Sequence, residues 1–269
     1  MEWKPNSLVE EDQIKTLQES IGVPFEIANL LVQRGIQDFE TAKTFFRPEL
    51  SDLHDPYLML GMEAAVNRIS TAIEGNEKIM IYGDYDVDGI TSVALLFSYL
   101  TTYYSDCIYY IPDRYEEGYG ISKKGIDYAK KESISLIVAL DCGIKALDNV
   151  KYARELGIDF IICDHHLPGV NLPNAVAILD PKQNNCKYPF KDLCGCGIGF
   201  KLIHALSLKR GLSIETILPY LDLVAMAIAA DIVPILGENR ILTHYGLVQI
   251  RDKPREGIKL FLSGLKRKL

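Results

Sequence analysis

The 269-residue sequence has little of what marks membrane, secreted or fibrous proteins. Its uninterrupted apolar stretch at residues 223–230 is far shorter than the roughly 18 to 20 residues that cross a bilayer. The N-terminus shows no basic segment followed by an apolar one, so no secretory signal is visible. The six cysteines include no CxxC pair, and reduced thiols in the cytoplasm are the default expectation. These absences exclude the membrane, collagenous, disordered and disulfide-scaffold classes.

The sequence also lacks the positive charge that proteins binding the nucleic-acid backbone usually carry. Its formal net charge is −7. Residues 251–269 are an exception, because they hold seven lysine or arginine residues and only two acidic ones. This basic end is either a solvated tail or a surface that faces phosphates. The acidic remainder favours cation binding, since carboxylate clusters are the ligands of hard metal ions.

The first part of the chain has apolar residues at helical spacing, and the segments concerned are 8–21, 24–34, 39–46 and 58–73. We predict that residues 1–77 form a small helical N-terminal cap that packs on the core. Helical patterns return near the C-terminus, over residues 197–210 and 213–229. The basic segment 251–269 follows these C-terminal helices.

From residue 78 the pattern changes to short apolar runs, at 79–82, 107–111, 136–140, 160–163 and 176–179. Helical segments separate several of them, at 90–103, 122–132 and 145–156. Alternation of continuous apolar strands with helices predicts a parallel sheet covered on both faces. We therefore predict an α/β domain over residues 78–250. Ligands of such sheets bind beyond the carboxyl ends of the strands.

Three aspartates, Asp84, Asp86 and Asp88, follow the first predicted strand. Because they alternate, all three would point to one side of an extended segment. Three carboxylates on one side repel each other unless they are protonated or hold a cation. A calcium loop of the EF-hand type is an alternative, but the glycine and glutamate spacing that it needs is absent. Helix capping would account for one aspartate, not three. The pattern therefore predicts a metal site.

Further polar groups stand where other apolar strands end: Asp141 after the third run, and Asp164, His165 and His166 after the fourth. A single strand-end aspartate is often a helix cap. Several that converge on one crevice favour a metal centre, and imidazole with carboxylate suits Mn²⁺ or Zn²⁺. The adjacent histidines would point apart, so we expect one to bind metal and the other to contact substrate or support the site. Asp231 follows an apolar helix and is either a ligand or a helix-end acid.

These residues together resemble the DHH phosphoesterase superfamily, through segment 82–92, Asp141 and the Asp164-His165-His166 tripeptide. The finer pattern resembles its RecJ branch, the single-strand-specific DNA exonucleases. The supporting segments are 111–115, 118–120, 195–200, 230–234 and 237–240, with 34–36 and 46–48 in the helical cap. The resemblance covers nearly the whole chain.

The resemblance implies a metal-dependent phosphodiesterase that degrades single-stranded DNA from the 5′ end to mononucleotides, in DNA repair and recombination in the cytoplasm. It implies one or two Mn²⁺ ions, with Mg²⁺ as an alternative, and an activated water that attacks phosphorus. The implied metal ligands are Asp86, Asp88, Asp141, His165 and Asp231. The implied catalytic residues are Asp84, His166 and Asp141, of which we expect Asp141 to bridge both ions.

Arg114 and Tyr119 are the expected substrate contacts, a guanidinium for phosphate and a ring to stack on an unpaired base. Either could instead be a surface or core residue. We expect single-stranded DNA as the partner, replication or repair proteins as further partners, and no membrane. RecJ proteins are generally longer, so the resemblance implies a second, substrate-binding domain after residue 269. The chain is then expected to be a catalytic fragment or a short relative.

Other functions stay open at this point. Related DHH proteins act on short oligonucleotides, cyclic dinucleotides or pyrophosphate, whereas a non-catalytic scaffold would be expected to have lost ligands that are present here. The glycine segment 193–200 lacks the last glycine of a dinucleotide loop. A zinc site at Cys186, Cys194 and Cys196 lacks a fourth ligand. A tight turn that leads into a packed helix is the favoured interpretation of this segment.

Overall fold

The computed structural model describes residues 10–266. The chain divides between Leu53 and His54 into two compact units. This division precedes residue 77, where the sequence pattern changes. Helix α4 (Met62–Glu74) belongs to the second unit, in which it packs against strand β5 (Ala177–Leu179). The packing of the N-terminal helices on the core stays a prediction.

The described part of the first unit, from residue 10, contains three short helices and a 3₁₀ turn at Leu50–Asp52. The helices are α1 (Glu11–Ile21), α2 (Phe25–Val32) and α3 (Phe39–Phe46). Their apolar faces meet in a small core of their own, formed by Ile14, Leu17, Ala28, Leu31, Val32, Ile36 and Ala42. Helix α3 begins at a capping box, in which Asp38 Oδ1 accepts a hydrogen bond of 2.8 Å from the amide of Thr41. The predicted helical segments are found here, although the first residues of segment 8–21 lie outside the described residues.

The second unit contains a five-stranded, all-parallel sheet of β1 (Ile79–Gly83), β2 (Cys107–Tyr110), β3 (Leu136–Leu140), β4 (Asp159–Cys163) and β5. The strand order is β2-β1-β3-β4-β5. Every residue of β1 and β3 is buried, which explains why both strands are uninterrupted apolar runs. The predicted parallel sheet is confirmed.

Helices cover both faces of this sheet, as predicted. The second unit adds α5 (Val87–Leu100), α6 (Lys123–Lys131), α7 (Leu147–Glu155), α8 (Gly195–Lys209), α9 (Leu221–Ala230), α10 (Gly237–Asp252) and α11 (Glu256–Lys266). On one face, α6 and α7 pack on Met80, Ile137 and Phe160. On the other, α5 packs against β1 and β3, and α8 packs against β3 and β4. Within residues 10–266, no helix is both long and apolar enough to span a bilayer.

The prediction of one helix over residues 213–229 is wrong in its first half. Residues 214–216 and 218–220 form single 3₁₀ turns, and α9 begins only at Leu221. Pro219 explains the break, because it has no amide to donate to an α-helical ladder. In the basic C-terminal segment, Arg255 makes a two-pronged ion pair with the buried Asp222, at 2.6 and 2.7 Å. Residues 267–269 lie outside the described residues.

Candidate metal centre

Four aspartates follow four neighbouring strands at the same level of the sheet. The register aligns the last residues of β1, β3, β4 and β5, which are Gly83, Leu140, Cys163 and Leu179. The residue that follows each of these strand ends is an aspartate: Asp84, Asp141, Asp164 and Asp180. None of the four is more than 1% exposed. Buried carboxylates in a row favour protons or cations between them.

Beside this row, His165 is the hub of a tight cluster of candidate ligands. Its Nε2 lies 3.2 Å from Asp141 Oδ1 and 3.6 Å from Asp231 Oδ2. The same nitrogen is 3.8 Å from Asp88 Oδ2. Candidate ligand atoms of Asp88, His165 and Asp231 all lie within 4.8 Å of one another, and so do those of Asp141, His165 and His166. The structure thus brings together four of the five metal ligands expected from the sequence.

Backbone amides at the N-terminus of α8 position the cluster. Asp88 Oδ2 accepts a hydrogen bond of 2.6 Å from the amide of Gly195, and Oδ1 accepts one of 2.7 Å from the amide of Cys196. The positive end of the helix dipole also favours a carboxylate here. Gly195 lies directly against Asp141, because a Cβ at Gly195 would stand 2.7 Å from Asp141 Oδ1. The glycine segment therefore does more than turn the chain, since it positions two candidate ligands.

Asp86 and Asp84 occupy different positions around the cluster. Asp86 is exposed and caps α5, where its Oδ1 accepts a hydrogen bond of 2.9 Å from the amide of Gly89. It lies outside both groups of candidate ligands, so its role as a ligand stays a prediction. Asp84 is buried, and neither of its carboxylate oxygens makes a hydrogen bond of normal geometry. Burial raises the pKa of Asp84, and the charge of Asp86 adds to this effect.

Asp164, the first residue of the tripeptide, orients the second histidine. Its Oδ1 accepts a hydrogen bond of 2.7 Å from His166 Nδ1, and its Oδ2 accepts one of 2.9 Å from the amide of Ile144. Burial alone would raise the pKa of Asp164, but these hydrogen bonds outweigh it and hold the pKa below its ordinary value. The hydrogen bond to Asp164 in turn raises the pKa of His166. His166 therefore carries a positive charge more readily than a free histidine.

A row of rings leads from His166 to Arg114. The hydroxyl of Tyr119 lies 3.2 Å from His166 Nε2, and the Tyr119 ring meets Tyr85 edge-on with 6.2 Å between centroids. The guanidinium carbon of Arg114 stands 5.2 Å from the centre of the Tyr85 ring. Tyr119 is 58% exposed, and Arg114 is also exposed. Both expected substrate contacts thus border the centre, and Tyr85 joins them.

Reasoning from the sequence missed Tyr85 and Asp180 as functional residues, and it noted Asp164 at a strand end without assigning it a role. Asp180 was within reach of the same rule, because it directly follows the fifth apolar run. Burial raises the pKa of Asp180 to about 7. Its Oδ1 accepts a hydrogen bond of 2.7 Å from the amide of Lys182, while its Oδ2 is buried without a partner.

The donor set fits a divalent transition-metal ion. Buried polar atoms without a hydrogen bond gather at this point, namely both oxygens of Asp84, Asp141 Oδ1 and both ring nitrogens of His165. Leaving such an atom unsatisfied costs about 1–3 kcal/mol. Carboxylate oxygens with imidazole and no thiolate suit Mn²⁺. Among the described residues, no cysteine belongs to a group that could hold a metal.

The same burial gives the centre a pH dependence. Burial raises the pKa of Asp88 and Asp141, and the neighbouring carboxylates raise both further. A carboxyl whose pKa is higher in the folded than in the unfolded protein stabilises the fold at low pH, and this stability is lost as pH rises toward the folded-state pKa. Bound cations compete with these protons, so metal affinity must change in the opposite direction.

We expect the metal-free protein to lose stability from pH 6.5 to 8.5, and Mn²⁺ affinity to rise over the same range. Each carboxyl that stays protonated only in the folded state contributes a slope of up to about 1.4 kcal/mol per pH unit. Burial lowers the pKa of His165, so the contribution of His165 to the slope has the opposite sign and fades as pH rises above the ordinary histidine pKa of about 6.5. Thermal melts in EDTA and calorimetric Mn²⁺ titrations measure the two trends. Asp141→Asn should flatten both, and equal slopes in variant and parent would contradict the explanation.

The parallel sheet, the row of strand-end aspartates and the histidine pair define an α/β metal-binding domain. A family profile described as the DHH family, N-terminal domain, matches residues 78–228. The match covers more than half of the chain, and the chain belongs to this family.

Several of the similar proteins are RecJ exonucleases. The chain is 43% identical over 252 residues to the single-stranded-DNA-specific exonuclease RecJ of Bacillus subtilis (strain 168), covering 93% of this chain and 31% of that protein. A crystal structure of exonuclease RecJ bound to manganese aligns with a TM-score of 0.72 and 30% identity, covering 80% of this chain and 54% of that one.

The structure of RecJ in complex with Mn²⁺ from Thermus thermophilus aligns with a TM-score of 0.79 and 27% identity, over 96% of this chain and 36% of that one. The resemblance to the RecJ branch is confirmed. The chain spans less than half the length of the curated relatives that it matches.

Proposed function

We propose that the chain is a metal-dependent exonuclease that hydrolyses single-stranded DNA from the 5′ end to mononucleotides. The observation that carries this proposal is the convergence of Asp88, Asp141 and Asp231 on His165 beside an exposed row of rings. The names of the relatives, single-stranded-DNA-specific exonucleases, and the manganese in two related structures support it. Such an activity belongs to DNA repair and recombination in the cytoplasm, with replication or repair proteins as partners.

Asp88, Asp141, His165 and Asp231 would hold one or two divalent ions, Mn²⁺ by preference and Mg²⁺ as the alternative. Divalent ions in such a site lower the pKa of water and neutralise charge on phosphate, so hydrolysis at neutral pH needs no separate strong base. Asp141 would be the ligand that two ions share, since it belongs to the row of strand-end aspartates and also approaches His165. Asp86 is a further proposed ligand, and Asp84 would complete the set of ligands or meet the scissile phosphate.

His166 is the proton donor in this proposal. Its Nδ1 is held by Asp164, and its raised pKa keeps the ring protonated more readily near neutral pH. The Nε2 atom, 3.2 Å from the hydroxyl of Tyr119, then has a proton to donate to the scissile phosphate or to the departing oxygen. Asp164 is a positioning residue, because its carboxylate accepts hydrogen bonds from the His166 ring and from backbone amides.

Tyr85, Tyr119 and Arg114 favour an unpaired strand as the substrate. An aromatic ring can stack on a base only when that base has left the duplex stack. The guanidinium of Arg114 would pair with a phosphate of the same strand. A strand with paired bases offers these rings nothing to stack on, so we expect duplex DNA to bind less well than a single strand.

End-labelled oligonucleotides of one sequence, single-stranded and duplex, test the proposal in the presence of Mn²⁺. We expect mononucleotides to be released from the 5′ end of the single strand alone, and EDTA to abolish the release. Equal cleavage of duplex would contradict the single-strand preference. Hydrolysis of dinucleotides without cleavage of longer DNA would replace the proposed substrate by a short oligonucleotide.

A further inference from the structure

Five helices of the second unit end with the same backbone shape. In α4, α6, α7, α8 and α9, the second residue after the helix has a left-handed backbone, with φ between 51° and 77°. The five residues are Asn76, Ser133, Gly157, Gly211 and Ile232. Glycine has no Cβ to collide with the chain in this conformation, and asparagine tolerates it. Four of the five positions hold a small or short polar residue, and the fifth is Ile232.

Ile232 is an outlier on physical grounds. A left-handed backbone is unfavourable for any residue with a Cβ, and a β-branched side chain makes it worse. Burial does not compensate for this strain, because the side chain is 86% exposed. A residue that strains the backbone and gains no packing has no stabilising role in the protein by itself. Strain of this kind gathers at functional sites.

The position of Ile232 next to the candidate metal centre suggests why a strained, exposed isoleucine is found there. It directly follows Asp231, whose Oδ2 lies 3.6 Å from His165 Nε2. Leu167, which follows the histidine pair, is likewise 70% exposed. Exposed apolar side chains therefore stand next in the chain to two residues of the centre, Asp231 and His166. A nucleotide whose phosphate meets the centre would bring its base against them.

We propose that Ile232 is a substrate contact that packs against the base of a nucleotide flanking the scissile phosphate. The strained backbone is then retained because it turns an apolar side chain outward beside Asp231. This inference rests on the proposed function, since it requires single-stranded DNA at the centre. It assigns Ile232 a share of substrate affinity and none of the chemistry.

The variants Ile232→Asn and Ile232→Gly test the contact, because both residues suit a left-handed backbone. We expect Ile232→Asn to raise the melting temperature by about 2–4 °C, the shift typical for relief of strain in a domain of this size. We expect the KM for single-stranded DNA to rise about 5- to 10-fold, as for loss of one partly buried apolar contact. The kcat and the Mn²⁺ affinity should stay within about twofold of the parent's, since the contact is not part of the chemistry.

Ser133→Ile is the matched control, because it installs the same strain at the end of α6, where Ser133 is exposed. It should lower the melting temperature and leave the KM unchanged. On oligonucleotides with an abasic residue at either position flanking the scissile bond, one position should abolish the difference between parent and Ile232→Asn. An unchanged KM in Ile232→Asn, or a difference that survives both abasic positions, overturns the inference alone. A parent chain that neither binds nor cuts single-stranded DNA overturns the proposed function and the inference with it.

Discussion

Replacement of Asp141 by asparagine is expected to lower the rate of DNA hydrolysis by about 10³-fold, the scale of losing a preorganised charge at a reaction centre. Asp141 Oδ1 is a buried atom without a hydrogen bond, 3.2 Å from the nitrogen of His165. Asparagine has the same shape and tolerates the left-handed backbone of Asp141, whose φ is 59°. The variant should therefore keep the fold and lose the negative charge that holds the cations.

Although Asp141→Asn should lose activity, we expect it to be more stable than the parent in the absence of metal. Without metal, the charge of Asp141 is opposed by burial and by the neighbouring Asp88 and Asp86. Removing that charge should raise the melting temperature in EDTA, while Mn²⁺ should stabilise the variant less than it stabilises the parent. Single-turnover kinetics and melts with and without Mn²⁺ measure both effects. Asp148→Asn, at an exposed position in the first turn of α7, is the control and should change neither. Normal activity and metal stoichiometry in Asp141→Asn would show that Asp141 is not a bridging ligand.

Much of the candidate metal centre could be predicted from the sequence, because the rule that locates it depends only on neighbouring residues. In a buried parallel sheet, each strand is an apolar run, so the first polar residue after the run marks the carboxyl edge. Asp84, Asp141 and Asp164 are each found by this rule, and the register of the sheet brings them level. His165 and His166 then follow as neighbours of Asp164. Asp180 obeys the same rule after the shortest strand, which spans three residues.

The remainder depends on contacts between segments that are distant in sequence. The amide of Gly195 reaches Asp88 across more than one hundred residues, and no local pattern predicts that pairing. Asp231 ends a helix instead of a strand, so only the family resemblance favoured it over a helix-end acid. The left-handed backbone of Ile232 could not be predicted either, because residue preferences place glycine or asparagine, not isoleucine, in such positions.

Gly195→Ala is expected to reduce activity by about 10²-fold although Gly195 offers no side chain to metal or DNA, since misplacement of a reacting group by 1 Å has an effect of this order. The added Cβ would stand 2.6 Å from Asp141 Cβ and 2.7 Å from its Oδ1, closer than real Cβ atoms approach. Asp141 or the first turn of α8 must therefore move. Movement of that turn also displaces Asp88, whose carboxylate is held by the amides of Gly195 and Cys196.

Gly199→Ala provides the matched control on the same helix. Its Cβ would meet Leu140 at 3.4 Å and Leu95 at 3.8 Å, which are ordinary packing distances. Alanine is the better helix former by about 1 kcal/mol, so this variant should be as stable as the parent or more so, with full activity. Mn²⁺ titration and DNA hydrolysis distinguish the two variants. Weaker Mn²⁺ binding in Gly195→Ala alone shows that the backbone of α8 positions the ligands, whereas equal activity of both variants would mean that the centre tolerates a displaced Asp141.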